Sequence, residues 1–189
     1  MNLSPEEHAV ISEKEYLIVK QQAIKKISDT LLKVGTILYD DLNIVNFPFP
    51  IKKTTKISKG ENYRNLPYLV LDFPSYYQKN GFCMFRSLFL WGYGFSVELV
   101  ISGDILARFK DQVYHNLRLI KENDYFICHG PTPWNYYYET DNYIPLGNVS
   151  DEKLYELIHK REFVKLGTFM PLECADELER FIYKNFLSM

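Results

Sequence analysis

Two oppositely charged residues, Arg86 and Glu98, interrupt the otherwise uncharged segment FCMFRSLFLWGYGFSVELVISG. A tight turn centred near Gly92 and Tyr93 is predicted to fold this segment into a β-hairpin. Because side chains alternate between the faces of a strand, the hairpin places Arg86 and Glu98 on one face, diagonal to each other and close enough for an ion pair. Such a pair is either a half-exposed structural contact or a contact for a charged ligand. Since an unpaired buried charge is costly, we expect this face to be hydrated or to hold a ligand.

The opposite face of the hairpin is apolar and is predicted to lie against the protein core. It carries Cys83, Phe85, Phe89, Trp91, Phe95, Val97, Leu99 and Ile101. A shift of one residue in the turn would exchange the two faces, so the position of the charged pair depends on this register.

A second apolar segment, LPYLVLDFP, is predicted to be a strand that contributes to the same candidate site. Tyr68 and Asp72 share one of its faces, and Asp72 is its only charged residue. Asp72 either accepts a backbone hydrogen bond in the turn before Pro74 or acts as a general acid or base, although its spacing identifies no catalytic partner. We therefore group Tyr68 and Asp72 with Arg86 and Glu98 as candidate ligand-binding residues.

The segment KKTTKISKGENYRN is basic, with five cations and one glutamate. Its cations, of which we select Lys56 as a candidate ligand-binding residue, suit a phosphate group. The alternative is a charged edge strand, since lysine at a sheet edge prevents pairing with another chain. The segment matches neither the P-loop nor the dinucleotide-binding glycine pattern.

The segment HGPTPWNYYYETDNY combines a rigid turn with a run of aromatic residues. Residues 134–138 are predicted to form a strand with Trp134, Tyr136 and Tyr138 on one face. This face either packs inside the protein or provides a stacking platform for a planar ligand, so Trp134 and Tyr136 join the candidate binding residues. His129 directly follows Cys128, which places the two side chains on opposite faces and argues against a Cys/His dyad.

Composition limits the classes of function further. Three cysteines without a CxxC pair and four histidines without i, i+4 spacing predict no metal site, and we predict no cofactor and no catalytic residue. The net charge of −2 gives no reason to expect nucleic-acid binding, and no uninterrupted apolar stretch is long enough to predict a membrane span. Widely spaced cysteines and the absence of a signal-peptide pattern predict a cytoplasmic protein.

The elements that position these residues are predicted from hydrophobic periodicity. Ser4 caps a short helix, and a long amphipathic helix follows from Ser12. Further helices are predicted at 104–123, 151–159 and near the C-terminus, and strands at about 54–58, 66–73, 82–91, 95–101, 124–128, 134–138 and in FVKLGTFMPL. We therefore predict one α+β domain over residues 1–189, with a mostly antiparallel sheet of five to seven strands and N-terminal, central and C-terminal helices packed on one face.

Three segments carry a resemblance to a known family. At KGENYRNLPYLVLDFP, FRSLFLWG and PWNYYYETDNY the chain resembles a family of uncharacterised bacterial proteins of similar length. The resemblance implies a bacterial origin and a complete protein, and because that family has no assigned activity it implies no catalytic or binding residue.

The sequence favours a non-catalytic binding or interaction protein, because no nucleophile, base and orienting group occur at a recognisable spacing. Its partner is expected to be a small molecule or another protein. One alternative is an enzyme acting on a small anionic or phosphorylated metabolite, with Arg86 and Lys56 holding the anion and Asp72 or His129 transferring a proton. Another alternative is a subunit of a larger assembly, in which the tyrosine-rich surface is the interface.

Overall fold

The structure, a computed structural model, describes residues 1–45, 47–51 and 56–189. Within these residues the chain forms five α-helices and a single antiparallel sheet of seven strands, so the predicted α+β fold is confirmed. The helices are α1 (Pro5–Ser12), α2 (Lys14–Asp40), α3 (Gly103–Leu119), α4 (Asp151–His159) and α5 (Leu178–Ser188). The strands are β1 (Ile57–Tyr63), β2 (Leu66–Gln78), β3 (Gly81–Leu90), β4 (Gly94–Ser102), β5 (Phe126–Cys128), β6 (Tyr143–Pro145) and β7 (Phe163–Met170).

The strands are ordered β1-β2-β3-β4-β7-β5-β6 across the sheet. The first four strands pair with their neighbours in sequence, as expected for strands joined by short turns. After α3 and α4 the chain returns as β7, which pairs with β4 on one side and with β5 on the other. This return places a strand from the C-terminal part of the chain beside Glu98.

All the helices that contribute to the core pack on one face of the sheet, as predicted, because their apolar positions recur every three or four residues. In α2 these positions include Leu31, Val34 and Leu38, which pack with α5 on β2, β3 and β4. A second apolar cluster joins α3 and α4 to β5 and β7. Each fully buried leucine or phenylalanine in these clusters stabilises the fold by about 1.5–3 kcal/mol.

The register of the β3–β4 hairpin differs from the predicted one by two residues. Phe89 pairs with Phe95, and Arg86 lies directly opposite Glu98 rather than diagonal to it. Because the period of a strand is two, this difference leaves every side chain on the predicted face. The aromatic face of the hairpin is therefore in the core, and Arg86 and Glu98 share the other face.

Several predicted element boundaries were wrong. Residues 134–138 do not form a strand; they belong to an irregular segment, and β6 follows at Tyr143–Pro145. The long helix begins at Lys14, with Glu13 rather than Ser12 at its N-cap. Strand β1 spans Ile57–Tyr63, whereas residues 54 and 55 of the predicted strand lie outside the described residues. As the charged-edge alternative required, β1 is an edge strand of the sheet.

Among the described residues, no helix combines the length and the apolar character needed to cross a lipid bilayer.

Candidate functional site

The polar face of the sheet is covered by residues 131–142, which we call the covering segment. This segment contains turns and irregular residues but no helix or strand. Beneath it, Arg86 is 5% exposed and Glu98 is completely buried. The expectation that this face is hydrated or liganded was therefore wrong: the face is filled by the protein's own chain.

The first group of contacts on this face joins Arg86, Asp72 and Tyr136. The Arg86 Nε donates to Asp72 Oδ1 at 2.6 Å, and its Nη2 donates to Asp72 Oδ2 at 2.8 Å, which makes a bidentate ion pair between neighbouring strands. The third guanidinium nitrogen, Nη1, donates to the hydroxyl of Tyr136 at 2.7 Å. Burial lowers the pKa of Arg86, but the hydrogen bonds and charge of Asp72 outweigh it, and the pKa is raised overall. The guanidinium is thus charged, and each of its three nitrogens donates one hydrogen bond.

Two aromatic rings of the covering segment complete this group. Burial raises the pKa of Tyr136 to about 12, so its hydroxyl is neutral at physiological pH. The ring of Trp134 stacks on Phe82 with 5.5 Å between ring centroids, and the Arg86 guanidinium lies 5.2 Å from the Trp134 ring. Trp134 remains 44% exposed, which makes it a surface residue at the edge of the cluster.

The second group is centred on Lys165 of β7. Its Nζ lies 2.9 Å from Oε1 of Glu98, and both side chains are fully buried. The same ammonium donates to the carbonyl oxygens of Pro133 and Asn135 at 3.0 and 2.8 Å, so each of its three N–H groups has a partner. Burial lowers the pKa of Lys165, while the charge of Glu98 acts in the opposite direction. This lysine connects the sheet to the backbone of the covering segment.

Tyrosines surround the carboxylate of Glu98. The hydroxyl of Tyr143 donates to Glu98 Oε1 at 3.0 Å, and burial together with the nearby carboxylate raises the pKa of Tyr143 well above its usual value. The ring of Tyr138 lies parallel to that of Tyr143, with 4.2 Å between centroids, and its hydroxyl donates to the carbonyl oxygen of Thr168 at 3.2 Å. Oε2 of Glu98 has no hydrogen-bond partner among the described residues.

The structure brings most of the predicted site residues together, but with different partners. Arg86, Asp72, Tyr136 and Trp134 are in direct contact, and Tyr68 joins them through the ring of Tyr136, whose centroid lies 6.3 Å away. The predicted Arg86–Glu98 ion pair was wrong, because Arg86 pairs with Asp72 and Glu98 pairs with Lys165. Lys56 is exposed just before β1, outside this cluster, and Lys52 and Lys53 lie outside the described residues. His129 lies apart from it and contacts the carbonyl oxygen of Thr140.

Sequence reasoning missed Lys165 and Tyr143. A signal for Lys165 was present, because it is the only charge in the apolar strand FVKLGTFM. Strand alternation places it on the face opposite Val164 and Leu166, which belong to the core. The pairing of β7 with β4 was needed to bring it to Glu98, and that pairing cannot be read from local periodicity.

The opposite, helical face of the sheet contains an open space, which we call the apolar cavity. It has a volume of about 320 Å³ and lies between the two core clusters. Its floor is formed by β3, β4 and β7, and it includes Leu99 and Ile101. Both residues belong to β4, and although this strand lies in the middle of the sheet they are only half-buried.

The walls of the apolar cavity are largely aromatic. Phe109 of α3 lines one side, and Phe47 and Phe49 line another. Phe49 is held in place by a parallel stack on Tyr76 at 4.7 Å between centroids and an edge contact with Phe109 at 6.0 Å. The amide side chains of Gln112 and Asn116, both exposed on α3, provide hydrogen-bonding groups at the margin. No charged side chain lines the cavity among the described residues.

Cys83 is the one titratable side chain in the described lining of the cavity. It is 5% exposed, and burial raises its pKa to about 12, so it is a neutral thiol rather than a nucleophilic thiolate at physiological pH. The sequence placed Cys83 on the core face correctly but gave no indication of the cavity.

Comparisons of the chain with models of protein families, with curated proteins and with solved structures found no match. The resemblance expected from the three sequence segments therefore stays a prediction, and the site is interpreted from its geometry.

The two faces of the sheet differ in what they can do chemically. On the polar face, all three donors of Lys165 and one N–H on each nitrogen of Arg86 bind groups of the protein, and these contacts hold the covering segment on the sheet. On the helical face, the apolar cavity has the size of a small-molecule site. In the described part of the chain, no three His, Cys, Asp or Glu side chains are grouped as metal ligands.

Proposed function

We propose that the protein is a non-catalytic binding protein that holds a small, uncharged, mainly apolar molecule in the apolar cavity. The observation that carries this proposal is the half-buried state of Leu99 and Ile101 at the floor of a space of about 320 Å³. Small-molecule sites begin at about 300 Å³ and are lined mainly by hydrophobic and aromatic side chains.

The lining favours an apolar ligand over water. Water molecules in a cavity need two to four polar partners each, and the walls of this cavity are mainly aliphatic and aromatic. The volume of about 320 Å³ lies at the lower end of the range for small-molecule sites, so a ligand smaller than a typical drug is expected. Gln112 and Asn116 suit a single hydrogen-bonding group on the ligand, such as a hydroxyl or an amide. A bicyclic aromatic alcohol has these properties.

The absence of activating groups supports a binding role rather than catalysis. A nucleophilic cysteine needs a lowered pKa or an adjacent base, and the pKa of Cys83 is raised. The enzyme alternative relied on Arg86 as an anion-binding residue, but its three donor nitrogens are bonded to Asp72 and Tyr136.

A titration with 1-naphthol tests the proposal. We expect saturable binding with one site per chain and an increase in melting temperature that grows with ligand concentration. The variant Ile101→Phe fills the floor of the cavity and should weaken binding at least tenfold while the fold is retained. Leu119→Phe adds the same ring at a position that is 69% exposed and should bind like the wild type.

Two outcomes would contradict the proposal: no saturable binding by the wild type, or equal binding by Ile101→Phe. Inorganic phosphate at low salt serves as the second probe. Stabilisation by phosphate that disappears in Arg86→Ala would favour the enzyme acting on an anionic metabolite instead.

A further inference from the structure

The N-terminal helices present a surface that nothing in the described chain covers. Every residue from 1 to 19 is exposed, and helix α1 has no buried residue. In α2 the first buried residue is Ile24, although the helix begins at Lys14. The first part of α2 therefore extends beyond the body to which its later turns are fixed. We call residues 5–19 the N-terminal helical surface.

This surface is unusually apolar for one in contact with water. Tyr16, Leu17, Ile18 and Val19 are consecutive, and they are 51%, 43%, 51% and 52% exposed. Four successive residues point in every direction around a helix, so neither the body of the protein nor one partner helix covers the whole run, and a partner helix would cover part of it. Exposed apolar runs of this length mark contact surfaces.

The charges along the same helices are separated by sign. Residues 1–19 contain four glutamates and one lysine, whereas residues 20–33 contain four lysines and one aspartate. A second helix of the same sequence complements this pattern only when it runs antiparallel. In that orientation Glu13 and Glu15 of each copy lie beside the basic stretch that begins at Lys20 of the other, while a parallel copy would place like charges together. Within the chain, Lys20 contacts Glu61 at 3.7 Å and Lys25 contacts Asp29 at 2.6 Å, so the partner's glutamates would share these ammonium groups.

We propose that the N-terminal helical surface binds a second copy of this chain, with the two α2 helices antiparallel and the apolar run from Tyr16 to Val19 at the centre. The pairing is isologous, so both copies contribute the same residues. The four glutamates disfavour an anionic lipid surface as the occupant. This inference does not depend on the apolar cavity.

Charge reversal provides a specific test. We expect the wild-type chain to be a dimer by light scattering and sedimentation, with an association that weakens as salt is added. Glu13→Lys/Glu15→Lys and Lys25→Glu/Lys26→Glu should each be monomeric when alone. Mixed in equal amounts, the two variants should form a heterodimer, because each then offers the charge that the other requires.

Controls separate this result from a change in net charge or a loss of folding. Glu122→Lys/Glu173→Lys and Lys79→Glu/Lys184→Glu change the charge equally at exposed positions outside α1 and α2 and should remain dimeric. Circular dichroism and melting temperature establish that each variant is folded. Leu17→Ser/Ile18→Ser, which alters no charge, should also be monomeric.

The proposal is overturned if the wild type is monomeric at the highest concentration measured, or if the charge-reversed pairs fail to associate on mixing. A dimer that none of these substitutions weakens would locate the interface elsewhere. Binding of a monomeric wild type to neutral phosphatidylcholine vesicles would instead identify the surface as a membrane contact.

Discussion

The Nζ of Lys165 lies 2.9 Å from Oε1 of Glu98, at a position where neither side chain reaches solvent. The two residues come from adjacent strands, since Glu98 is directly opposite Gly167 and Lys165 is directly opposite Val100. They therefore meet diagonally on the face covered by residues 131–142. The remaining donors of the lysine bind backbone carbonyls of that segment, so a single side chain joins three parts of the chain.

The losses of stability caused by removing the two members of this buried pair should not be additive. We expect Lys165→Met to lower the free energy of unfolding by about 3–5 kcal/mol, because it leaves the carboxylate of Glu98 uncompensated. The double variant Glu98→Gln/Lys165→Met should lose less than the sum of the two single variants. Urea denaturation of all four proteins measures this difference. Strictly additive losses would show that the two charges do not stabilise each other.

Substitutions of Arg86 and Tyr136 measure how much their contacts stabilise the covering segment on the sheet. Arg86→Lys cannot form the bidentate contact with Asp72 and should lower the free energy of unfolding by about 1.5–3 kcal/mol. Tyr136→Phe loses one hydrogen bond to Arg86 and should cost about 1 kcal/mol. In both variants, amide hydrogen exchange should speed up relative to the wild type, and the increase should be larger in residues 131–142 than in β3. Unchanged exchange in the covering segment would indicate that other contacts hold it.

Position 167 requires a glycine, because groups of other strands and of the covering segment approach its Cα closely. A methyl group at residue 167 would overlap the hydroxyl of Tyr138 and would lie 2.9 Å from the carbonyl oxygen of Val97. We expect Gly167→Ala to destabilise the protein by about 1–3 kcal/mol. In a Tyr138→Phe background the additional loss should be smaller, because the overlapping hydroxyl is absent. Equal losses in the two backgrounds, measured by thermal melting, would contradict this explanation.

Cys83 should make the stability of the protein depend on alkaline pH. Burial raises its pKa from 9.0 to about 12, so the folded protein keeps the proton over a range in which the unfolded chain releases it. The stability that comes from this shift is complete below pH 9 and is lost as the pH rises from 9 to about 12. The difference in unfolding free energy between the wild type and Cys83→Ala should therefore decrease over that range. A constant difference would indicate that Cys83 ionises at its ordinary pKa.

Much of the fold followed from the sequence because local periodicity determines which side of an element faces the core. The faces of the β3–β4 hairpin were predicted correctly even though its register was displaced by two residues. The displacement does not explain the error over Arg86, because it places this residue directly opposite Glu98, closer than predicted. Its actual partner, Asp72, was already among the candidate residues on the neighbouring strand.

The remaining errors concern contacts between distant parts of the chain. Alternating aromatic residues at 134–138 predicted a strand, but side chains rather than a neighbouring strand bind backbone carbonyls there. Lys165 binds those of Pro133 and Asn135, and Asn142, at the end of the same segment, binds those of Asn135 and Tyr137. The apolar cavity was also missed, because a gap between two groups of helices has no periodic signature in any one of them.

The way in which Lys165 holds the covering segment has a consequence for variation of that segment. Its two contacts there are with main-chain oxygens, which every amino acid possesses. Many different side chains at positions 133 and 135 would therefore preserve the anchorage, provided that the path of the polypeptide stayed the same. The exposed residues of this segment can therefore vary in sequence while the segment stays bound to the sheet.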